Sequence, residues 1–101
     1  MLERALRRFI EVCRAQGDVR EVYVFGSLAR GDVGPTSDLD VLVVRDTKAR
    51  RAERDVDLRI AFDVPVGLDA IVVTPAEYRE QLPTTGFGRT ILAEAKLVHA
   101  A

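Results

Sequence analysis

The stretch from Leu39 to Val44 places the strongest limit on the fold, because every residue in it except Asp40 is large and apolar. An unbroken run of valine and leucine favours a β-strand that is buried on both faces. A chain of 101 residues has room for a single core. We therefore predict one domain over residues 1–101, of the α/β or α+β class, with a small mixed sheet flanked by helices.

The remaining elements follow from apolar spacing and from turn residues. We predict helices over 2–16, 47–61 and from Thr74 to near Pro83, strands over 19–25, 38–44 and 67–73, a short helical turn over 26–31, loops over 32–37 and 84–88, and a helix or a helix followed by a strand over 90–98. Thr74, Pro75 and Glu77 together form a strong helix start, since the threonine and glutamate can make a capping box. The buried face of helix 47–61 is predicted to carry Ala49, Ala52, Val56 and Ile60.

Composition excludes several classes of protein. Fifteen basic residues balance sixteen acidic ones, which argues against direct nucleic-acid binding and against a membrane-surface binder. Apolar stretches are too short to span a membrane, and the charged residues after Met1 do not resemble a signal peptide, so we expect a cytoplasmic protein. The single cysteine, Cys13, excludes an internal disulfide and is read as a buried small residue. With one histidine, it also leaves no structural zinc site.

Aspartates in apolar strands are the first candidate functional residues. Asp38 and Asp40 are two residues apart, so their side chains would point to the same face of a strand, and Asp69 lies in the third predicted strand. Such charges are costly unless they are paired or bind a metal. Three converging carboxylates would suit Mg²⁺ or Mn²⁺. The alternative is that Asp38 ends a strand and that Asp40 pairs with an arginine.

A second candidate, Gly26-Ser27, follows the first strand directly and opens a short helix. Glycine allows a ligand to approach the backbone closely, and the free N–H groups with the Ser27 hydroxyl could bind an anion. Arg30 lies one turn further on, where it could reach a phosphate or pair with a strand carboxylate, and Gly31 can end the turn in a left-handed conformation. A glycine-serine pair is usually only a turn, and no P-loop motif follows it.

Gly26-Ser27, ten intervening residues and then Asp38-Leu39-Asp40 resemble the signature of the minimal nucleotidyltransferases (MNT type) in the polymerase-beta-like superfamily. Leu68–Pro75 is similar to the family segment with the third metal carboxylate. The similarity extends to 91–95, where relatives often have a glycine after the glutamate. The resemblance implies that Asp38, Asp40 and Asp69 bind Mg²⁺ or Mn²⁺ and that Gly26 and Ser27 contact the phosphates of ATP. Arg30, from its position one turn further on, completes the predicted nucleotide-binding residues. Asp63 is the rival for the third carboxylate.

The resemblance also implies a function. Larger enzymes of the superfamily add a domain that holds the acceptor, so here a partner or a second copy of the chain would complete the site. The usual partner is a helical HEPN-type RNase toxin, and the nucleotidyltransferase is its antitoxin. Some such antitoxins transfer AMP from ATP to a tyrosine of the toxin, and Asp69 could assist deprotonation of that hydroxyl. The alternatives are an inert antitoxin that neutralises its partner by binding, and a transferase acting on a small molecule such as an antibiotic.

Three aromatic residues receive lesser predictions. Tyr23 and Tyr78 could be targets of self-modification, but they are better explained as packing residues with a hydrated hydroxyl. Phe87 lies between Gly86 and Gly88, in a predicted flexible loop where a partner or a nucleotide base could stack.

Overall fold

A computed structural model describes residues 2–32, 34 and 38–101, and four strands in this part of the chain form one mixed sheet. They are β1 (Val19–Phe25), β2 (Leu39–Arg45), β3 (Leu68–Val73) and β4 (Lys96–Ala100). Their order is β3-β2-β1-β4, with β2 parallel to β3 and β1 antiparallel to both β2 and β4. This confirms the predicted mixed sheet, and all three predicted strands form within one residue of their expected ends.

The helices pack around this sheet. They are α1 (Leu2–Arg14), α2 (Gly26–Arg30), α3 (Val56–Ala61), α4 (Pro75–Glu80) and α5 (Gly86–Glu94), with short 3₁₀ turns at Arg51–Glu53 and Leu82–Thr84. Cys13 is buried on α1, as predicted. None of the helices in the described ranges has both the length and the apolar composition that crossing a membrane requires.

Strand β2 is buried on both of its faces, as the sequence indicated. Leu39, Val41 and Val43 pack into the apolar cluster that includes α1 and α3, which we call the α1 face of the sheet. Leu42 and Val44 pack into the cluster that includes α5, which we call the α5 face. Because side chains alternate along a strand, Asp40 belongs to the α5 face.

The predicted helix over 47–61 is wrong in length and in its buried face. Only a 3₁₀ turn at Arg51–Glu53 and the six residues of α3 are helical, and Leu58 is the residue that α3 buries. Val56 is 44% exposed and Ile60 is 78% exposed. The Arg54 guanidinium donates a hydrogen bond to the Ala49 carbonyl at 3.0 Å, so the chain wraps around this side chain instead of continuing as a helix.

The predicted loop over 84–88 is also wrong, because α5 begins within it. Thr85 caps the helix by accepting a hydrogen bond from the Gly88 N–H at 2.9 Å. Phe87 therefore lies in the first turn of α5 and is 68% exposed, where we expected a flexible loop. At the other end of α5, the helix-then-strand alternative is the observed one, with β4 pairing along β1.

The predicted helix start at Thr74 and the packing role predicted for Tyr23 and Tyr78 are confirmed. Thr74 and Glu77 form a capping box at the start of α4, and Pro75 occupies the first turn. Tyr23 and Tyr78 stack with ring centroids 5.6 Å apart, and their hydroxyls form a hydrogen bond at 3.2 Å. These tyrosines are packing residues of the α5 face.

Arg45 ends β2 with a buried positive charge that the sequence analysis did not single out. Its side chain donates to both carboxylate oxygens of Asp57, at 2.8 and 2.7 Å, and to Asp18 at 2.9 Å. A further hydrogen bond reaches the Arg54 carbonyl at 2.8 Å. Its hydrogen bond to Asp57 lowers the pKa of that carboxyl. The guanidinium thus ties the end of β2 to α3 and to the turn before β1.

Candidate active site

The strand directions bring the predicted site residues to one edge of the sheet. Strand β1 ends at Phe25, while β2 begins at Leu39 and β3 at Leu68. Phe25 is the antiparallel partner of Asp40, and Asp40 is the parallel partner of Asp69. The segment that opens with Gly26 therefore leaves the sheet beside the residues at which β2 and β3 enter it.

Asp40 and Asp69 lie side by side, because residues in register on neighbouring strands point to the same face. Asp38 precedes Asp40 by two residues. Burial raises the pKa of Asp40, and the negative charges of Asp69 and Asp38 raise it further. Asp38 and Asp69 are exposed to solvent, whereas Asp40 is half-buried. The structure thus brings the three predicted carboxylates close enough together for their charges to interact.

These carboxylates are neighbours, but their side chains do not form a complete metal-binding site. Among the described residues, no group of three or more carboxylate, histidine or cysteine side chains has an arrangement that could hold a metal ion. Their chemistry nevertheless fits a hard cation, because their donor atoms are all oxygens and Arg30 does not fully offset the like charges around Asp40, whose pKa stays raised, so that further positive charge would stabilise them. Mg²⁺ or Mn²⁺ would supply that charge.

Glycines leave room for two of the carboxylates. A Cβ atom on Gly26 would lie 2.1 Å from Oδ2 of Asp40, and one on Gly67 would lie 2.1 Å from Oδ1 of Asp38. Gly26 also has φ +69°, a left-handed backbone that favours glycine. Gly67 was not predicted as a site residue.

The predicted anion-binding segment forms the short helix α2. Gly26 and Ser27 lie in its first turn, where Gly26 is buried and Ser27 half-buried. Gly31 ends the helix at φ +73°, and its N–H donates to the Leu28 carbonyl at 3.2 Å, as the sequence analysis expected. Arg30 occupies the last turn, on the same short helix as the glycine and serine.

Arg30 pairs with Glu94, which the sequence analysis did not identify as a site residue. Nη1 of Arg30 lies 3.1 Å from one carboxylate oxygen of Glu94, and the Gly26 N–H donates to the other at 3.3 Å. Glu94 is the last residue of α5, where the helix dipole disfavours a negative charge. The predicted alternative, in which Arg30 pairs with a strand carboxylate, is not the contact formed.

Asp63, the rival for the third carboxylate, contacts a different part of the molecule. Its Oδ1 accepts a hydrogen bond from Nε of Arg8 at 2.9 Å, and this contact lowers the pKa of Asp63. Arg8 belongs to α1, which covers the opposite face of the sheet from Asp40. The geometry favours Asp69 as the third carboxylate.

Comparison with known proteins gives one family and one fold. The family model described as nucleotidyltransferase domain matches residues 6–97. A protein of Methanocaldococcus jannaschii named "Putative protein adenylyltransferase" is 26% identical over 99 residues, which cover 96% of this chain and 97% of that protein.

Two solved structures share the fold. A crystal structure described as a putative nucleotidyltransferase from Sulfolobus solfataricus is 25% identical, with a TM-score of 0.63 over 98% of this chain and 86% of that one. A crystal structure of a toxin–antitoxin with AMP-PNP is 16% identical, with a TM-score of 0.67 over 94% of this chain and 73% of that one. Since the family model spans most of its length, this chain belongs to the nucleotidyltransferase domain family.

Proposed function

We propose that this protein is a metal-dependent nucleotidyltransferase that transfers a nucleoside monophosphate, AMP from ATP, to a protein hydroxyl. The acceptor is a tyrosine of a HEPN-type toxin, and the protein is the corresponding antitoxin. The observation that carries the proposal is the convergence of Asp38, Asp40 and Asp69 at one sheet edge beside Gly26. The name of the Methanocaldococcus jannaschii relative and the toxin–antitoxin with AMP-PNP support the finer assignment.

Each group at this edge has a proposed role. Asp38, Asp40 and Asp69 would hold Mg²⁺ or Mn²⁺, which when bound stabilises the negative charge that develops on the phosphates. Gly26, through its backbone N–H, and Ser27 orient the triphosphate, and Arg30 supplies a positive charge to it. These assignments explain why a buried glycine and a half-buried carboxylate occupy the same corner.

The acceptor reaches the site from solvent. Asp38 and Asp69 are exposed, so the edge that carries them is open to a side chain from another protein. Asp69 accepts the proton of the tyrosine hydroxyl as the tyrosine oxygen bonds to the α-phosphorus. The bond between the α-phosphorus and the oxygen that bridges it to the β-phosphorus breaks, and pyrophosphate leaves. A partner bound over this edge would shield the reacting groups from water.

A transfer assay tests the proposal. The protein is incubated with ATP labelled at the α-phosphate, Mg²⁺ and the candidate toxin, and label on the toxin is measured. The double variant D38N/D40N is expected to abolish transfer while its far-UV circular dichroism stays native. A matched control, D46N/E80Q, also removes two negative charges but at exposed positions on other parts of the surface, and it is expected to transfer normally. Transfer by D38N/D40N at the wild-type rate would refute the site.

One observation favours a second candidate, an antitoxin that acts by contact alone. Within the described ranges the carboxylates do not form a complete metal-binding site, and Glu94 occupies two of the proposed phosphate contacts. The same assay separates the candidates. Neutralisation of the toxin without label on it, and without loss in D38N/D40N, would establish contact as the mechanism.

A further inference from the structure

Glu94 makes two contacts that the proposed function assigns to a nucleotide. Its carboxylate accepts a hydrogen bond from the Gly26 N–H at 3.3 Å and pairs with the Arg30 guanidinium at 3.1 Å. The Glu94 side chain is 30% exposed and that of Arg30 is 50% exposed, so solvent reaches both partners. An anion from the chain itself is therefore bound where a phosphate is expected.

We propose that Glu94 is an internal competitor for the phosphate groups of the nucleotide, which displace its carboxylate from Gly26 and Arg30, so that this residue sets the affinity for the nucleotide. The inference rests on the proposed function, because it takes Gly26 and Arg30 as phosphate contacts. Glu94 would then weaken nucleotide binding, whereas the other proposed residues of the site strengthen it.

The charges at this edge indicate that Glu94 competes with the nucleotide and does not assist its binding. Asp38, Asp40, Asp69 and Glu94 bring four negative charges to this edge, and Arg30 brings a positive charge that only partly offsets them at Asp40, whose pKa stays raised. Glu94 lies close enough to contribute to the raised pKa of Asp40. A triphosphate that approaches is repelled by each carboxylate, and Glu94 also holds the cation that would attract it. Replacing Glu94 with a neutral residue removes both effects.

The exchange of partners is physically inexpensive. A half-exposed ion pair contributes little net stability, since water solvates both groups when the pair opens. The hydrogen bond from the Gly26 N–H passes to a phosphate oxygen, so no donor is left without a partner. Glu94 lies at the end of α5, next to Ala95 and β4, and its side chain can move without unwinding the helix.

Nucleotide binding to Glu94→Gln tests the proposal. The glutamine keeps an oxygen that can accept from the Gly26 N–H, so the fold is expected to persist, and a melting curve checks this. Dissociation constants for ATP with Mg²⁺ are measured by calorimetry on the wild type, on E94Q and on E80Q. Glu80 is exposed on α4, so E80Q removes the same charge away from the site. E94Q is expected to bind ATP about fivefold more tightly than the wild type, the scale of one exposed ion pair, and E80Q less than twofold.

A second background distinguishes release of Arg30 from a general charge effect. In Arg30→Gln, the change E94Q is expected to gain only about twofold, because no guanidinium remains to be released while the repulsion of the phosphates is still removed. Glu94→Asp keeps the charge but shortens the reach, and it is expected to bind ATP with intermediate affinity. If E94Q melts early, E94D carries the test.

The outcomes separate the two proposals. Binding of ATP by the wild type with equal or weaker binding by E94Q overturns the competitor role and leaves the proposed function in place. An E94Q gain that persists in full in R30Q also overturns it. No binding of ATP by the wild type or by any variant overturns the proposed function, and this inference with it.

Discussion

Replacing Gly26 with alanine tests whether the glycine exists to make room for Asp40. The backbone at Gly26 has φ +69°, which costs an alanine about 1–2 kcal/mol. The added Cβ would also lie 2.1 Å from Oδ2 and 2.9 Å from Cγ of Asp40. Moving that carboxyl aside costs about 1–3 kcal/mol more, as in other overpacked sites. We expect G26A to lose about 2–5 kcal/mol of unfolding free energy.

Gly31 is a matched control for the backbone contribution. It has nearly the same conformation, with φ +73°, but a Cβ there would meet no heavy atom of the described residues within 4 Å. G31A should therefore lose only about 1–2 kcal/mol. The difference between the two variants isolates the contact with Asp40.

Urea unfolding followed by circular dichroism measures these losses, and a double-mutant cycle identifies their cause. In an Asp40→Ala background the carboxyl is absent and the Cβ of residue 40, at 3.2 Å, remains as a milder contact, so adding G26A should cost only slightly more than G31A does in the wild type. Equal losses for G26A and G31A, or an undiminished loss for G26A in the D40A background, would show that the reasoning about Asp40 is wrong.

Two further predictions concern groups away from the site. The hydrogen bond from Arg54 lowers the pKa of Glu77 to about 2, so this carboxylate contributes stability above its unfolded pKa of about 4.5 that is lost as the pH falls towards 2. We expect E77Q to lose about 2–3 kcal/mol at pH 7 and to converge on the wild type near pH 2, as measured by urea unfolding across this range; a constant difference at all pH values would contradict the ion-pair explanation. Burial raises the pKa of Cys13 to about 12, so its thiol should react with iodoacetamide only as fast as the protein unfolds, and rapid labelling of the native protein would disprove its burial.

The strands were predictable from the sequence because their signal is local. Val19–Phe25 matches the predicted range at both ends, and β2 and β3 differ from prediction by at most one residue per end. Runs of valine and leucine bounded by glycine and aspartate determine them with little help from the rest of the chain. The convergence of Asp40 and Asp69 also followed, since the sheet aligns residues that occupy equivalent places in two apolar strands.

The errors have long-range causes. Helix 47–61 fails because Arg54 contacts Glu77, 23 residues away, and the Ala49 carbonyl, so that its side chain directs the backbone. Glu94 was missed as a site residue because its contact with Gly26 joins positions 68 residues apart. The spacing of residues along the chain does not predict either contact.

The buried guanidinium of Arg45 helps to fix the register of β2 against β3. A slip of two residues along β3 would keep every side chain on its original face, and the apolar run from Leu39 to Val44 would tolerate it. The same slip would pull Arg45 away from Asp57 and carry Asp40 past Asp69. Asp40 and Arg45 are about 16 Å apart at the usual rise per residue. These two polar residues thus disfavour shifted registers that the apolar residues between them would tolerate.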